Sequence, residues 1–408
     1  EECENMKKIM VVAGGNWQVE LVKKAKSMGH YVICSNLYED SPAFPYADAC
    51  EVADVLDKEK NLEIAKKYQP DAVLSDQSDI AIPTVAYINE QLGLRGIGVD
   101  KADIFTDKSK MRQFCKENGV RIPDFKLCRT KDDVRGMLEK HKKIIIKPID
   151  SQSARGVHTI ESVEQLEKCY QDTVSFSNRR KEILAEEYIG GAEFTIDGLV
   201  VNGHHYPLCI SVKEMYENNA NVSKMQVYTY DHPEYDYEEL KRLNHELIEK
   251  TQLPFGLTHT EYKFDKGNFY LLEMAARGGG SIWSAKIVPF MSGVDNYDYL
   301  IRSALNEPVD ETALKNLVLP KDNCVIMRFF DFGTGKVKEI HGIDYLKNHK
   351  NMMDYILNIK PGDVLEVPEC GALRPGHFSI CGTNIKELNQ ELENILKNVY
   401  VTFEEAGA

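Results

Sequence analysis

Within His259 to Gly280 lie three charged side chains whose spacing can do chemistry: Glu261, Glu273 and Arg277. Thr258 to Phe264 and Phe269 to Ala275 read as two strands of a hairpin around Asp265-Lys266-Gly267-Asn268, with glycine supplying the positive φ of a three-residue loop. Parity then decides the geometry. An odd loop puts Glu261 and Glu273 on one face of adjacent strands, whereas an even loop puts them on opposite faces. Like charges side by side repel unless a cation lies between them, and Mg²⁺ takes carboxylate oxygens at about 2.1 Å while keeping positions for water and phosphate. The alternative is a pair of solvated glutamates on an exposed hairpin. Along the same face Ala275 and Arg277 follow Glu273, and Gly278-Gly279-Gly280-Ser281 then offers unhindered amides that can wrap an anion.

Two lysines and an acidic turn extend this set. Lys147 ends the apolar run Ile144-Ile145-Ile146, where an ammonium suits a phosphate and snorkelling to the surface is the plain alternative. Lys108, in Thr106-Asp107-Lys108, opens a charged helix. In Glu186-Glu187-Tyr188-Ile189-Gly190-Gly191-Ala192-Glu193 a carboxylate and adjacent backbone groups could meet the amino edge of adenine, and Glu193 could accept from ribose hydroxyls. A polar hairpin explains that segment equally well when it is viewed alone.

The elements that must position these groups follow from periodicity. Lys8 to Ala13, Tyr31 to Cys34 and Ala72 to Leu74 are short apolar strands, and Val19 to Gly29 and Ile80 to Leu92 have helical spacing. The first hundred residues therefore predict an open parallel sheet with helices on both faces. Ala102 to Asn118 predicts one amphipathic helix, Asp150 to Gly156 a mobile loop, and Tyr237 to Lys250 a further helix. Beyond Leu319, short strands with glycine turns and a final helix from Ile385 to Val399 predict a separate α+β lobe. The stretch Lys213 to Tyr230, with its tyrosines, asparagines and Lys224, is a candidate wall for a polar substrate.

Composition narrows the class. A chain of 408 residues with 43% apolar content can bury a large core divided over two or three domains. Its 50 basic against 64 acidic side chains give a net charge of -14, which disfavours nucleic acid and anionic membranes as partners. The ten cysteines are scattered without a C-x-x-C pair, so they are expected to be reduced in a cytoplasmic protein. Met6-Lys7-Lys8 precedes too short an apolar run for a signal peptide, and nothing approaches the roughly 20 apolar residues that span a bilayer. There is no G-x-x-x-x-G-K-[ST], G-x-S-x-G or H-E-x-x-H, Gly14-Gly15-Asn16-Trp17 is not a dinucleotide fingerprint, and His204-His205 lacks a partner at metal spacing.

Collectively these residues resemble the ATP-grasp superfamily, with a lysine before a helix, a lysine ending a strand, an acidic hinge and a Glu…Glu-x-x-x-Arg strand. Gly256-Leu257-Thr258-His259-Thr260-Glu261 is similar to the G-x-x-H-T-E of L-amino-acid ligases, and Cys324 to Phe403 resembles their terminal domain. The resemblance implies an α/β ATP-grasp architecture: an N-terminal open parallel α/β domain over 1–100, an ATP-grasp domain over 101–320 with a lid near 124–190, and a C-terminal α+β lobe over 321–408. By position it implies that Lys108 and Lys147 bind ATP phosphates, that Ser153 and Gly156 belong to the closing loop, and that Glu186, Glu187 and Ile189 meet adenine and Glu193 ribose. Glu261 and Glu273 would bind magnesium, with manganese able to substitute. Arg277, His259 and Lys147 would act on the transferring phosphoryl group and the reacting carboxylate.

The implied activity is ATP-dependent ligation of a small-molecule carboxylate to an amine through an acyl phosphate, with a homodimer left open. Ala275 stands where the family commonly has a metal-binding asparagine, and Ala154 where the lid often has a small hydroxyl. Tyr38-Glu39-Asp40-Ser41-Pro42-Ala43 resembles formate-dependent purine transformylases. A transformylase, a carboxylating enzyme or kinase on the same scaffold, and a silent nucleotide-binding protein therefore stay as alternatives.

Overall fold

The computed structural model describes residues 6–151, 154–177, 179–217, 219–280, 282–367 and 373–404. Four parallel strands, β1 (Lys8–Val12), β2 (Tyr31–Asn36), β3 (Ala49–Val52) and β4 (Ala72–Leu74), form a sheet in the order β3-β2-β1-β4. The continuous apolar run of β1 follows from burial on both faces. Ile9 and Val11 pack against Leu21, Val22 and Ala25 of the helix Val19–Ser27, while Met10 and Val12 pack against Leu62, Ile64 and Ala65 of Lys58–Tyr68. With both faces covered, this sheet can offer groups to a ligand only from the loops at its strand ends.

The predicted single helix over Ala102 to Asn118 is in fact two, Val99–Thr106 and Lys108–Glu117. Asp107 separates them: its backbone is extended, and its carboxylate accepts from the amides of Ser109 and Lys110 as an N-cap. The break sets Lys108 and Arg112 on one face of the second helix, one turn apart.

A second sheet of four antiparallel strands has the order β5 (Phe125–Cys128), β8 (Ile183–Glu187), β6 (Ile144–Pro148), β7 (His158–Ile160). The helices Lys131–His141 and Val163–Ser175 bury Val134, Leu138, Leu166 and Tyr170 against it.

The largest sheet has eight strands. Its order is β13 (Asn268–Ala275), β12 (Gly256–Asp265), β9 (Ala192–Val201), β10 (His204–Tyr216), β11 (Asn219–Thr229), β14 (Cys324–Phe329), β18 (Gly376–Gly382) and β16 (Met352–Leu357), all antiparallel. The C-terminal residues add strands to this sheet, since β11 pairs with β14 from Met225↔Arg328 to Tyr228↔Val325. β15 (Gly335–His341), β17 (Val364–Leu365) and β19 (Tyr400–Phe403) form a small sheet of their own. Behind the large sheet, Phe194, Ile196, Tyr262, Leu271 and Met274 pack on the helix Tyr237–Thr251. Period-two alternation sends the intervening residues to the opposite, polar face. No helix among the described residues is long and apolar enough to cross a membrane.

Candidate active site

The hairpin β12–β13 brings Glu261 and Glu273 directly opposite each other, by a route other than the expected loop. Asp265 pairs with Asn268, so the turn is the two residues Lys266 (φ 48) and Gly267 (φ 80), both left-handed. Such an even loop alone would turn Glu273 to the core side. A β-bulge corrects it: Tyr262 pairs with Leu271 but Glu261 pairs with Glu273, leaving Leu272 as an extra residue. Leu271 and Met274, three positions apart, consequently both face the apolar core. The carbonyl of the bulged Leu272 accepts from Arg112 Nη2 at 2.6 Å.

Repulsion between the two carboxylates is relieved from both sides. Lys213 Nζ on β10 lies 2.6 Å from Glu261 and 2.7 Å from Glu193 on β9, and Lys108 Nζ lies 3.0 Å from Glu273 while donating to the Ser151 carbonyl at 2.7 Å. Burial opposes the charges on Lys213 and Lys108, yet the facing glutamates raise both pKa values above the ordinary lysine range. Burial likewise opposes ionisation of Glu261, but Lys213 and His259 hold its carboxyl well below the usual range. Among the described residues no cluster of three or more His, Cys, Asp or Glu side chains could cage a metal. Two hard oxygen donors beside open space fit a Mg²⁺ that completes its shell with phosphate and water. Ala275 adds no oxygen.

His259, on the same face as Glu261, donates from Nδ1 to Asp197 at 2.8 Å, places Nε2 3.6 Å from Glu261 and stacks on Trp283 at 5.1 Å between ring centres. Burial disfavours its charge, but Asp197 and Glu261 outweigh burial and raise the pKa to about 9. The raised pKa favours the imidazolium, the form suited to holding an anion rather than accepting a proton.

Two aspartates from the loop after β4 reach across to consecutive residues. Asp79 takes both Nε (2.8 Å) and Nη2 (2.5 Å) of Arg277, and Asp76 accepts from the Gly278 amide at 2.6 Å and the Tyr297 hydroxyl at 2.7 Å. Gly278 must be glycine, since a Cβ there would fall 1.5 Å from Ser284 Oγ. Gln18 ties the first turn of the parallel sheet to the same place by donating to the Asp76 carbonyl at 2.7 Å.

At the acidic turn, the Glu186 carboxylate points inward, 2.5 Å from both Arg112 Nε and Lys147 Nζ, rather than toward an adenine edge. Burial lowers the Lys147 pKa, and Arg112 adds to this against the opposing pull of Glu186. Ile189 is buried beside this turn, and Gly191 lets it pass β12, because a Cβ there would lie 2.0 Å from the Phe264 carbonyl. Glu187 is half-buried, its carboxylate 3.4 Å from the Asp124 amide. Gly156 lies against Phe176 and Pro148, a packing turn rather than a wall of the cleft, and Ser153 falls outside the described residues.

Glu193, Lys213, His259, Glu261, Glu273, Arg277, Ala154 and Arg155 line one cleft of about 370 Å³. Trp17, Gln77, Asp79, Trp283, Phe329 and Arg374 are among its other walls, with Met215, Val222, Ser223 and Gln226 from the Lys213 to Tyr230 stretch. Sequence reading missed Asp76, Asp79, Arg112 and Asp197, and took Lys213 only as part of a wall. Asp197 and Lys213 had a signal: Glu193, Thr195, Asp197 and Ser211, Lys213 alternate as polar positions along apolar strands. Asp76 and Asp79 had only their place after a parallel strand.

Residues 141–285 match the ATP-grasp domain, and residues 328–404 match L-amino acid ligase C-terminal domain 2. Among curated relatives, the formate-dependent phosphoribosylglycinamide formyltransferase of Wolinella succinogenes is 28% identical over 188 residues, covering 45% of this chain and 48% of that protein. The alanine–anticapsin ligase of Bacillus subtilis is 28% identical over 249 residues, covering 54% and 51%. The chain thus spans about half the length of the curated relatives it matches. In three dimensions it is similar to the L-amino acid ligase from Bacillus licheniformis, with a TM-score of 0.82 and 20% identity over 98% of this chain and 100% of that one. Phosphoribosylglycinamide synthetase from Anaerococcus prevotii follows the same fold, with a TM-score of 0.72 and 17% identity over 98% and 100%. The chain thus contains an ATP-grasp domain over residues 141–285 and an L-amino acid ligase C-terminal domain 2 over residues 328–404.

Proposed function

We propose that the protein is an ATP-dependent carboxylate–amine ligase that forms an amide or peptide bond and releases ADP and phosphate. The observation that carries this reading is the convergence, in one cleft, of the paired Glu261 and Glu273 with Lys213, Arg277 and His259, together with the ion pair of Lys108 to Glu273. In this reading Lys108, Lys147 and Lys213 hold the phosphates, the adenine lies against Ile189 and the backbone of Glu187, and Glu193 accepts from the ribose. Magnesium or manganese, bound by Glu261 and Glu273, would neutralise charge on the β- and γ-phosphates. The substrate carboxylate attacks the γ-phosphorus and ADP leaves. Arg277 and the His259 imidazolium steady the resulting acyl phosphate by charge. The amine then attacks the acyl carbon and phosphate departs, while the segment carrying Ala154 and Arg155 excludes water that would hydrolyse the intermediate.

An amino-acid substrate is favoured over a phosphorylated purine precursor by the first turn of the parallel sheet. The Gly15 amide is already bonded to Gln18 Oε1 at 2.9 Å, and Trp17 presents an indole to the cleft where a phosphate would need donors. The match to the L-amino acid ligase C-terminal domain supports the same choice. The test is a coupled ADP assay across amino acids and other carboxylates and amines, with mass spectrometry of the product. Glu273→Gln should lower substrate-dependent ADP release by about 10²–10³-fold. Unchanged turnover in that variant overturns the metal assignment, and phosphate release with no condensed product overturns the ligase reading.

A further inference from the structure

We propose that Asp79 is a positioning residue through which the N-terminal parallel domain orients Arg277 for the phosphoryl-transfer step. The inference rests on the ligase reading above. The two residues are 198 positions apart, and their side chains are only 13% and 14% exposed. An arginine side chain has four rotatable bonds, so its guanidinium does not aim itself. Here the carboxylate of Asp79 takes Nε and Nη2 together, which fixes the plane of the group as well as its place. The Gly278 carbonyl accepts from Nη1 at 2.9 Å. Of the five N–H groups, these bonds use three among the described residues. One N–H on each terminal nitrogen remains, a pair matched to two oxygens of a phosphoryl or acyl phosphate group.

A second contact makes the grip two-pointed. Asp76, three residues before Asp79 on the same loop, holds the amide of Gly278, the next residue after Arg277. Backbone and side chain of the Arg277 segment are therefore both set by the parallel domain, although that domain contributes neither paired glutamate. If the loop after β4 shifts, Arg277 loses its aim even with nucleotide in place. The parallel domain is then part of the machinery of transfer, in addition to being a wall of the cleft.

Asp79→Asn keeps the shape but removes the charge and one acceptor. Misplacement of a reacting group by about 1 Å can cost roughly 10²-fold, so kcat should fall by about 10–100-fold while KM for ATP moves by less than about 3-fold. Asp79→Glu should recover part of the loss. Positional isotope exchange in ¹⁸O-labelled ATP, with the carboxylate present and the amine withheld, should fall in parallel with kcat, which places the defect in the first half-reaction. Because the residue acts through Arg277, the double variant Asp79→Asn with Arg277→Gln should be no slower than Arg277→Gln alone. Rates are expressed per folded, nucleotide-binding site, so loss of folded protein does not imitate the result. Exchange unchanged in Asp79→Asn, or fully additive losses in the double variant, overturns the proposal. Absence of exchange in the unaltered protein with every carboxylate tried overturns the ligase reading instead.

Discussion

The parallel sheet and the eight-stranded antiparallel sheet meet at the cleft but supply it differently. The first is buried on both faces and reaches the cleft from its loops, with Trp17, Gln77 and Asp79. The second turns a whole strand face to the cleft, where Glu193, Thr195 and Asp197 on β9 lie beside Ser211 and Lys213 on β10 and His259 and Glu261 on β12. Groups on a sheet face are fixed by the ladder and by each other, as when Thr195 and Ser211 hydroxyls meet at 2.6 Å. Groups on loops are fixed one contact at a time. The face is accordingly suited to holding charge, and the rim to aiming and admitting.

Exchanging two neighbours, Leu272→Glu together with Glu273→Leu, tests this difference most severely. The carboxylate then sits at the bulged position instead of opposite Glu261 while the rest of β13 can still pair, and ADP formation should drop by about 10³-fold or more. Circular dichroism would check that the sheet persists, and activity within about tenfold of the unaltered protein would mean that the face is not the site. Next, Lys213→Met removes the ammonium shared by Glu193 and Glu261, and should cost about 3 kcal/mol of stability by denaturant unfolding because two carboxylates stay behind without it. An unchanged midpoint would show that the face does not depend on mutual pairing.

The two faces of the same sheet also predict opposite pH responses. His205, on β10, sits on the core side near His245, and burial first, then His245, lowers its pKa from 6.5 to about 3. Its folded pKa is depressed, so the neutral ring contributes stability above about pH 6.5 that is lost as pH falls toward 3. His259 has its pKa raised to about 9, so its contribution is complete below about pH 6.5 and lost as pH rises through 9. His205→Gln should therefore lose less stability than the unaltered protein between pH 7 and 5, read from thermal melts. An equal loss would remove His205 from the account. The smallest effect is expected at the rim, where Trp17→Ala should raise the KM of one substrate by less than about tenfold with kcat kept. A fall in kcat there would give the rim a part in the chemistry itself.

How much was legible in the sequence follows the same division. Hairpin parity brought out Glu261 and Glu273, the acidic glycine turn brought out Glu193, and His259 came from the resemblance of its motif to that of L-amino-acid ligases. The facing of Glu261 and Glu273 was legible only as a condition on parity, and the condition was met by a bulge at Leu272 that no residue type announces. Asp107 was readable as an N-cap yet was passed over, which merged two helices into one. The pairing of Asp79 with Arg277 left no local trace, since neither residue departs from its own segment's pattern and only tertiary packing joins them.

The pairing of β11 with β14 has a consequence for how the chain is made. Strands near residues 225–228 must wait for residues 325–328, and β18 must then close against β14. Such distant pairings form slowly, whereas the parallel sheet can assemble from fewer than a hundred neighbouring residues. A chain shortened before residue 324 would present β11 as a bare edge, inviting association with other copies. Expression of the ATP-grasp portion alone should accordingly yield aggregates, and residues 324–382 serve the nascent protein as a built-in cover for that edge.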